Sequence, residues 1–248
     1  MTDINGILKQ FDPITLEEME SVKLMNRIDT KYAVPIWVLP NILEKAKQDY
    51  FVQQIDGKRV ATYDTMYFDT DNLDMYLRHH DRQLVRQKIR IREYVESNLH
   101  FLEVKKKNNK GRTKKKRIEI SGATDDTIRE FISAKSRYRW DDISAKLRTK
   151  FSRITLVNKE KTERLTIDMN LVWENQMTAI SKTFPELVII ELKRDGNVPS
   201  PMLRIMLSER VHPLKISKYC IGIALTTPNL KRNRFKSKIR KIEKLIQQ

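Results

Sequence analysis

Cysteine, glycine and histidine are scarce in this sequence, and each scarcity excludes a class of site. A single cysteine, Cys220, occurs in 248 residues, so no internal disulfide can form and no cysteine cluster can hold zinc. The six glycines include no GxxxxGKS loop, which excludes nucleotide binding of the P-loop type. The four histidines lack helical zinc spacing. We expect surface histidines and a buried Cys220.

Long hydrophobic runs are missing as well. No stretch approaches the roughly 20 apolar residues of a membrane-spanning helix, and the amino terminus lacks the basic-then-apolar pattern of a signal peptide. We therefore expect a cytoplasmic protein. The sequence also has no internal repeat and no Pro/Gly/Ser-rich linker. It predicts one domain over residues 1–230 and a basic amphipathic helix over residues 231–248.

Basic residues outnumber acidic ones, with 49 Lys and Arg against 32 Asp and Glu and a formal net charge of +17. This surplus implies an acidic partner, which is a nucleic acid, a membrane surface or a phosphate-rich molecule. Nucleic-acid binding requires aromatic stacking platforms among the basic residues. Tyr94 and Tyr219 are too few for that, so a nucleic acid is the less favoured partner. Lys106, Lys110 and the run Lys114 to Lys116 are typical of solvated loops or faces.

Helix signals mark several parts of the chain. Thr15 and Glu18 form a capping box for a short helix within ITLEEMESVKLMN. Ser200 followed by Pro201 marks another helix start. Apolar residues at helical spacing predict three more helices. The first covers residues 39–50, the second follows a cap at Thr124 or Asp125, and the third contains Phe235, Ile239, Ile242 and Ile246.

Much of the remaining chain alternates charged and aliphatic residues, as strands with two different faces do. In KIRIREY, a strand places Lys88, Arg90 and Arg92 on one face and Ile89 and Ile91 on the other. The same alternation recurs in HFLEVKKK, RLTIDMN, VIIELKR and PLKISKY, and we predict PLKISKY as a last strand before a short helix or turn.

A sheet with one solvated face explains any single strand of this kind. The recurrence of lysine and arginine on five or six strands, together with several amphipathic helices, favours a closed sheet instead. We predict an α+β fold in which a closed antiparallel β-barrel forms a tunnel and the helices pack outside it. The charged faces then line an aqueous lumen.

Such a lumen requires counterions. Like charges about 4 Å apart repel by roughly 4 kcal/mol at an effective dielectric near 20. Polyphosphate groups meet this requirement, because their oxygens accept hydrogen bonds from arginine and lysine. The inward carboxylates Glu103, Asp168 and Glu191 can hold Mg²⁺ or Mn²⁺, hard ions that prefer oxygen ligands.

The ordered motifs RIDTKY, KIRIREY, FLEVKKK, FSR at 151–153, RLTIDMNL, IIELK and KISKY carry a family resemblance. The chain resembles the VTC-domain polyphosphate polymerases, which belong to the CYTH-like triphosphate tunnel metalloenzymes, from about Arg27 to about Gly222. The resemblance implies an antiparallel β-barrel tunnel and transfer of the γ-phosphate of ATP to a growing polyphosphate chain. The ExExK signature of other tunnel enzymes is absent from the first strand, which favours the polymerase branch.

The resemblance also implies site residues. Glu191 in IIELK corresponds to the metal ligand, for Mn²⁺ or Mg²⁺, and Glu103 and Asp168 remain additional candidates from the residues alone. The implied catalytic cations are Arg90, Arg92, Lys105, Arg153 and Arg164. The expected phosphate-binding set contains these five together with Lys31, Lys193, Lys215 and Lys218.

Three functions remain open from the sequence. The first is an enzyme acting on ATP and inorganic polyphosphate, the second is a tunnel triphosphatase that hydrolyses inorganic or nucleoside triphosphate, and the third is a non-catalytic binder of polyphosphate or RNA. The terminal basic helix also has three interpretations. It packs on the barrel, caps one tunnel mouth, or makes a peripheral contact with an anionic membrane.

Overall fold

The computed structural model describes residues 3–20, 22, 27–196 and 198–247. The strands are β1 (Asp12–Ile14), β2 (Arg27–Pro35), β3 (Tyr50–Gln53), β4 (Ala61–Asp69), β5 (Arg86–Tyr94), β6 (Leu99–Lys107), β7 (Thr113–Glu119), β8 (Ser144–Asn158), β9 (Glu163–Asn175), β10 (Ser181–Phe184) and β11 (Leu187–Asp195). The helices are α1 (Ile4–Leu8), α2 (Leu16–Glu20), α3 (Leu39–Ala46), α4 (Asp74–His80), α5 (Asp125–Lys135), α6 (Pro201–Ser208), α7 (Lys218–Thr226) and α8 (Lys236–Ile246).

Eight of these strands form a strongly curled sheet in the order β2-β11-β9-β8-β4-β5-β6-β7, and every neighbouring pair along this path is antiparallel. The other three join it at its sides, where β10 pairs with β9, β3 with β8 and β1 with β3. This confirms the predicted α+β fold with a curled antiparallel sheet. The closure differs from the expectation, because in the described residues no strand ladder joins β2 to β7. Instead, the segment between α6 and α7 lies beside β2, where Leu214 N–H donates to the Lys31 carbonyl at 2.7 Å. The result is a half-barrel.

The aliphatic faces of the strands account for the helices outside the sheet. Leu165 and Ile167 of β9 and Ile190 and Leu192 of β11 are fully buried in a core that also contains residues of α3 and α6. A second outer core lies between β5, β6 and α5. Strands β5, β6, β9 and β11 therefore have a dry outer face, which leaves the inner face of the curl to their charged residues.

Helix α7 fills one part of the concavity. Its residues from Tyr219 to Ala224 are buried, in a core shared with Leu147 of β8 and Trp173 of β9. Gly222 allows the close approach, since a Cβ there would lie 2.6 Å from Leu147 Cδ2 and 2.9 Å from Trp173 Cδ1. The helix therefore occupies one end of the inner surface.

Several sequence predictions are confirmed locally. Glu18 N–H donates to Thr15 Oγ1 at 3.2 Å and Thr15 N–H to Glu18 Oε2 at 2.8 Å, so the capping box forms. The end of that predicted segment, residues 21 and 23–26, lies outside the described residues. Thr124 caps α5 and Ser200 caps α6. Cys220 is buried, as expected.

Other predictions are wrong. PLKISKY forms no strand; the segment makes one isolated bridge, Tyr32 to Pro213, and α7 begins at Lys218. The alternation of Leu214, Lys215 and Ile216 imitates a strand, but Ser217 caps a helix instead, accepting from Cys220 N–H at 3.3 Å. The surface-histidine expectation also fails for one residue, since His80 is buried.

The terminal helix packs on the domain. Phe235, Ile239 and Ile242 are buried in the same core as α7, which confirms the first of the three interpretations given above. This packing buries its apolar stripe, and its basic residues are exposed except for the half-buried Lys238. None of the helices in the described ranges combines the length and apolarity needed to cross a bilayer.

Candidate active site

The charged residues of KIRIREY lie on the inner face of the sheet. The register of β5 and β6 pairs Lys88 with Lys105 and Arg90 with Glu103, so these four side chains project from the same face. Ile89 is fully buried in the outer core beside α5. The predicted orientation of this strand is therefore confirmed.

The curl brings opposite walls together. Glu191 on β11 and Lys105 on β6 are five strands apart in the sheet order, which would separate them by about 24 Å in a flat sheet at about 4.8 Å per strand. Burial would raise the pKa of Glu191, but Lys31, Lys193 and Lys105 hold it well below its usual range. Because the charge of Lys105 on β6 acts on Glu191 on β11, the curl of the sheet must bring these two walls to face each other across the tunnel.

Asp168 organises one wall. Arg153 Nε donates to its Oδ1 at 2.5 Å and Arg153 Nη2 to its Oδ2 at 2.8 Å, and Lys218 of α7 also donates to Oδ2. Burial alone would raise the pKa of Asp168, but Arg153 and Lys218 hold it well below the ordinary value. Asp168 thus ties β8, β9 and α7 together as a permanent anion.

Glu103 plays the same part on the other wall. Arg90 Nε donates to its Oε2 at 2.7 Å, and Lys115 Nζ of β7 lies 3.4 Å from its Oε1. Burial would raise the pKa of Glu103, but Arg90 and Arg92 lower it far below the usual value. Both oxygens of this fully buried carboxylate are therefore engaged by cations.

Glu191 is the most accessible of the three inner carboxylates. Its side chain is 23% exposed, against 2% for Asp168 and 0% for Glu103. Its oxygens lie 3.4 Å from Lys31 Nζ and 3.2 Å from Lys193 Nζ, which are longer contacts than those of Asp168 with Arg153. Among these carboxylates, Glu191 is the best placed to exchange its cations for a ligand.

A hydroxyl lies beside Glu191. Thr166 of β9 is directly opposite Glu191 in the β9–β11 register. Its buried Oγ1 has no hydrogen-bond partner within the part of the chain that the structure describes, a situation that normally calls for a water or an ion. The two residues thus present neighbouring oxygen donors.

These oxygens fit a hard divalent ion. Mg²⁺ keeps several waters and takes one or two protein carboxylates together with substrate phosphates, so a full protein cage is not needed. Consistent with this, no three His, Cys, Asp or Glu side chains converge as metal ligands within the described ranges. Glu191 and Thr166 would hold the ion, and the roles of Glu191, Glu103 and Asp168 as metal ligands stay predictions.

Several cations of the inner face form no close ion pair with a carboxylate among the described residues. Burial lowers the pKa of Lys88, Arg92 and Arg164, and neighbouring cations lower each of them further. Lys105 has its pKa lowered well below the usual value, first by the charge of Arg90 and then by burial. The inner face therefore carries more positive charge than its carboxylates neutralise. An anion bound in the tunnel would reduce the repulsion between these cations.

Aromatic rings support these cations from β4 and β8. The guanidinium carbons of Arg92 and Arg153 lie 5.2 and 4.7 Å from the centroid of Tyr63. Lys218 Nζ lies 4.6 Å from the centroid of Phe151, which stacks on Tyr63 with centroids 5.4 Å apart. Cation–π contacts of this kind fix the direction of long flexible side chains, so part of the phosphate-binding arrangement is preorganised.

Most of the predicted site residues converge on this face. They are Lys31, Arg90, Arg92, Glu103, Lys105, Arg153, Arg164, Asp168, Glu191, Lys193 and Lys218. Lys215 is apart from them. It is exposed in the segment before α7 and interacts with Lys107 and Lys238 rather than with the central carboxylates.

Sequence reasoning missed several participants. Lys88 was not among the predicted phosphate-binding residues, yet it shares their face and donates to Ser217 Oγ at 2.8 Å. Lys115 is exposed together with Lys114 and Lys116, as predicted for this run, but it also lies opposite Lys105 and approaches Glu103. The hairpin register was the signal that could have revealed this contact.

Comparison with known proteins gives one family match. The family model described as VTC domain matches residues 26–227. Among curated proteins, none matches this sequence.

Two solved structures superpose in part on this chain. A "putative adenylate cyclase" from Vibrio parahaemolyticus superposes with a TM-score of 0.48 and 11% identity, over 82% of this chain and 99% of that one. A "putative adenylyl cyclase" from Hippeastrum, described with a dominant triphosphatase activity, gives 0.47 and 14% identity, over 83% and 99%. Likeness at this level indicates nothing about shared chemistry.

Proposed function

Because the chain belongs to the VTC-domain family, we propose that it is a metal-dependent phosphotransferase that moves the γ-phosphoryl group of ATP onto a growing inorganic polyphosphate chain. The substrates are accordingly ATP and inorganic polyphosphate. The family match supports this proposal, and the charge distribution of the inner face supplies its physical reason.

One observation carries the proposal. Lys88, Arg92, Lys105 and Arg164 form no close ion pair with a carboxylate in the described part of the chain, and the charges of Lys105 and Arg164 act on one accessible carboxylate, Glu191. Surplus cations bind the nonbridging oxygens of phosphate, and a carboxylate among them bridges to phosphate through a divalent ion. This combination suits a chain of phosphates better than a single carboxylate or sugar ligand.

The residues then have separate roles. Arg90 and Arg153 are held in place by Glu103 and Asp168, so their remaining donors point at fixed positions. Arg92, Lys105 and Arg164 neutralise the charge that develops on the transferred phosphoryl group. Glu191 and Thr166 would hold a divalent ion, which would supply Lewis-acid charge to the phosphate oxygens.

The transfer itself needs little acid–base help. A terminal oxygen of the polyphosphate chain forms a bond to the γ-phosphorus of ATP, the bond from that phosphorus to the bridging oxygen breaks, and ADP leaves with the electron pair. The attacking oxygen is already ionised near neutral pH. It requires positioning by the inner cations, which the arrangement provides, and no general base.

A triphosphatase would use water as the nucleophile, and water profits from a base. The inner carboxylates are engaged by cations, and the pKa values of all three are held low, so each is a weak base. This favours a phosphate nucleophile over water. It is the reason for ranking polymerisation above hydrolysis.

The test is direct. The purified protein is incubated with ATP and Mn²⁺ or Mg²⁺, and the products are resolved by gel electrophoresis for polyphosphate and by chromatography for ADP. Polymer and ADP appearing together are expected. Free phosphate without polymer would replace the proposal with a triphosphatase, and polyphosphate binding without turnover would replace it with a binding protein.

A matched pair of variants ties the activity to the tunnel. Lys105→Ala removes an inner cation of β6, whereas Lys106→Ala removes its exposed neighbour on the opposite face. Loss of about tenfold or more in turnover is expected for the first variant, from the loss of one charge-assisted contact. The second variant should retain wild-type activity, and equal losses would contradict the assignment of the site.

A further inference from the structure

A second group of cations lies beyond Lys88, at the tunnel end where α7 begins. Arg86 and Lys107 face each other across β5 and β6, one step past the Lys88–Lys105 pair on the same face. Lys215 precedes α7, and Lys238 belongs to α8; the two interact electrostatically with each other and with this strand pair. We call Arg86, Lys107, Lys215 and Lys238 the outer cluster.

No carboxylate is among the main charges that act on this cluster. The pKa of Lys107 is lowered first by burial and then by the charges of Arg86 and Lys215. His79 stands beside the cluster, and burial together with Lys88 and Arg86 lowers its pKa to about 2. The imidazole is therefore neutral, and the cluster is a site of uncompensated positive charge built from β5, β6, the α6–α7 segment and α8.

The outer cluster continues the cationic row of the active site. Arg86, Lys88, Arg90 and Arg92 follow one another on the inner face of β5, and six residues of strand span about 20 Å. A nucleoside triphosphate has only two links between its phosphorus atoms. A ligand that contacts Arg92 and Arg86 together must be a longer extended polyanion.

The other end of the tunnel differs. Arg27, which interacts with Arg164 there, is paired with Asp29 at 2.7 Å. The nearby inner surface carries rings, with the centroids of Tyr63 and Tyr94 5.1 Å apart. The outermost cation of β2 at this mouth therefore has a carboxylate partner, whereas no carboxylate is among the main charges on the outer cluster.

We propose that the outer cluster binds the distal phosphates of an extended inorganic polyphosphate, so that the chain leaves the tunnel across α8. The identity of this polyanion rests on the proposed function. The terminal helix thereby contributes Lys238 to a subsite that distinguishes long chains from short ones, and it gives the tunnel a direction.

The experiment compares two ligands without nucleotide or metal. Binding of tripolyphosphate and of long-chain polyphosphate is measured calorimetrically for the double variant Lys107→Ala/Lys238→Ala. The matched control is Lys106→Ala/Lys244→Ala, which removes one exposed lysine from each of the same two elements. Thermal melting of both variants verifies that they fold.

The first variant should bind the long chain about tenfold more weakly, since each lost charge-assisted contact weakens binding several-fold, and should bind tripolyphosphate as the wild type does. The control should bind both ligands as the wild type does. Equal weakening for both ligands, or the same loss in the control, would overturn the proposal.

Failure of the two proposals can be told apart. If the wild type makes no polymer from ATP but the length-dependent binding is as expected, the outer cluster stands and the polymerase assignment falls. If the wild type makes polymer and the double variant binds both ligands normally, the outer cluster falls and the polymerase assignment stands.

Discussion

Arg153 holds Asp168 through both oxygens of the carboxylate, with contacts of 2.5 and 2.8 Å. The geometry is bidentate, and it is fully shielded from solvent on the carboxylate side, where Asp168 is 2% exposed. Lys218 completes the contact from α7. Asp168 is therefore the point at which strands β8 and β9 fix the position of the helix that fills the concavity.

Asp168→Asn should destabilise the free protein by about 3 to 5 kcal/mol, because it leaves two buried cations without their anion. The matched control is Asp64→Asn, since Asp64 also accepts from Arg148 Nε with both oxygens, at 3.0 and 2.9 Å, while Arg148 is 40% exposed. That change should cost less than about 1 kcal/mol. Urea unfolding measures both.

The same variant tests whether Asp168 ligates the metal. We expect the dependence of turnover on Mn²⁺ concentration to be unchanged in Asp168→Asn, because both carboxylate oxygens already bind cations of the chain. A shift of the metal requirement to higher concentration would instead make Asp168 a ligand.

Glu191→Gln should reduce metal-dependent turnover by about 100-fold or more, because the amide keeps the size of the side chain and loses the charge that holds a divalent ion. Polyphosphate binding without metal should persist or tighten, since a negative charge has been removed from a cationic tunnel. Glu186→Gln, in the exposed turn before β11, is the control. Turnover retained in Glu191→Gln would show that the metal is held elsewhere.

Lys105→Met should stabilise the free protein and weaken its binding of polyphosphate. Lys105 is repelled by Arg90 and Arg92 and is largely removed from water, and a methionine of similar length avoids both costs. A gain of about 1 kcal/mol corresponds to about 2 to 4 °C in melting temperature for a chain of this size. Lys106→Met should leave the melting temperature unchanged, and a lower melting temperature in Lys105→Met would contradict the reasoning.

Binding of tripolyphosphate should take up protons above neutral pH. The pKa of Lys105 is depressed in the free protein, so between that value and the unfolded value near 10.4 the folded chain carries fewer protons than the unfolded one. The free energy of unfolding therefore rises with pH over this window. A bound anion restores the pKa and hence the proton. Calorimetry in two buffers of different ionisation enthalpy measures the uptake, and proton release would refute it.

Gly222→Ala should destabilise the protein by about 1 to 3 kcal/mol through overpacking. The added methyl group meets Leu147 and Trp173, so α7 must shift away from the sheet. Lys218 at the start of α7 shifts with it, and polyphosphate binding should weaken in parallel. Thermal melting and calorimetry check both effects; wild-type stability would mean that the helix packs less closely than described.

The inner face was predictable because alternation in a strand is a local property. Arg90 and Ile89 differ in environment for a reason visible in the sequence, and the same holds for Glu191 and Leu192. Partners across the sheet depend on register, which a single strand does not encode. The contact of Glu103 with Lys115 and the pairing of Glu191 with Thr166 therefore needed the structure.

The closure of the tunnel was the least predictable part. The alternation of Leu214 and Ile216 around Lys215 has the period of a strand, but the segment pairs with β2 at a single bridge. The decisive local signal was Ser217, a helix cap before an apolar run. Whether β2 meets β7 depends on the total curl of the sheet. That curl is the sum of the rotations between all neighbouring strands, which no single segment of the sequence encodes.

Because β7 is a free edge of the sheet, we expect the sheet to open more easily there than at its centre. This strand borders β6 alone along the sheet path, and its residues are exposed except for a half-buried Ile118. Its amide protons should exchange with deuterium long before those of β9, which lies between two neighbours and beneath two cores. Fast exchange at β7 together with slow exchange at β9 would mean that Lys115 can leave Glu103 while Asp168 and Arg153 stay in place. We therefore expect the passage to widen on the β7 side when an extended polyanion binds, with the β8–β9 wall unchanged.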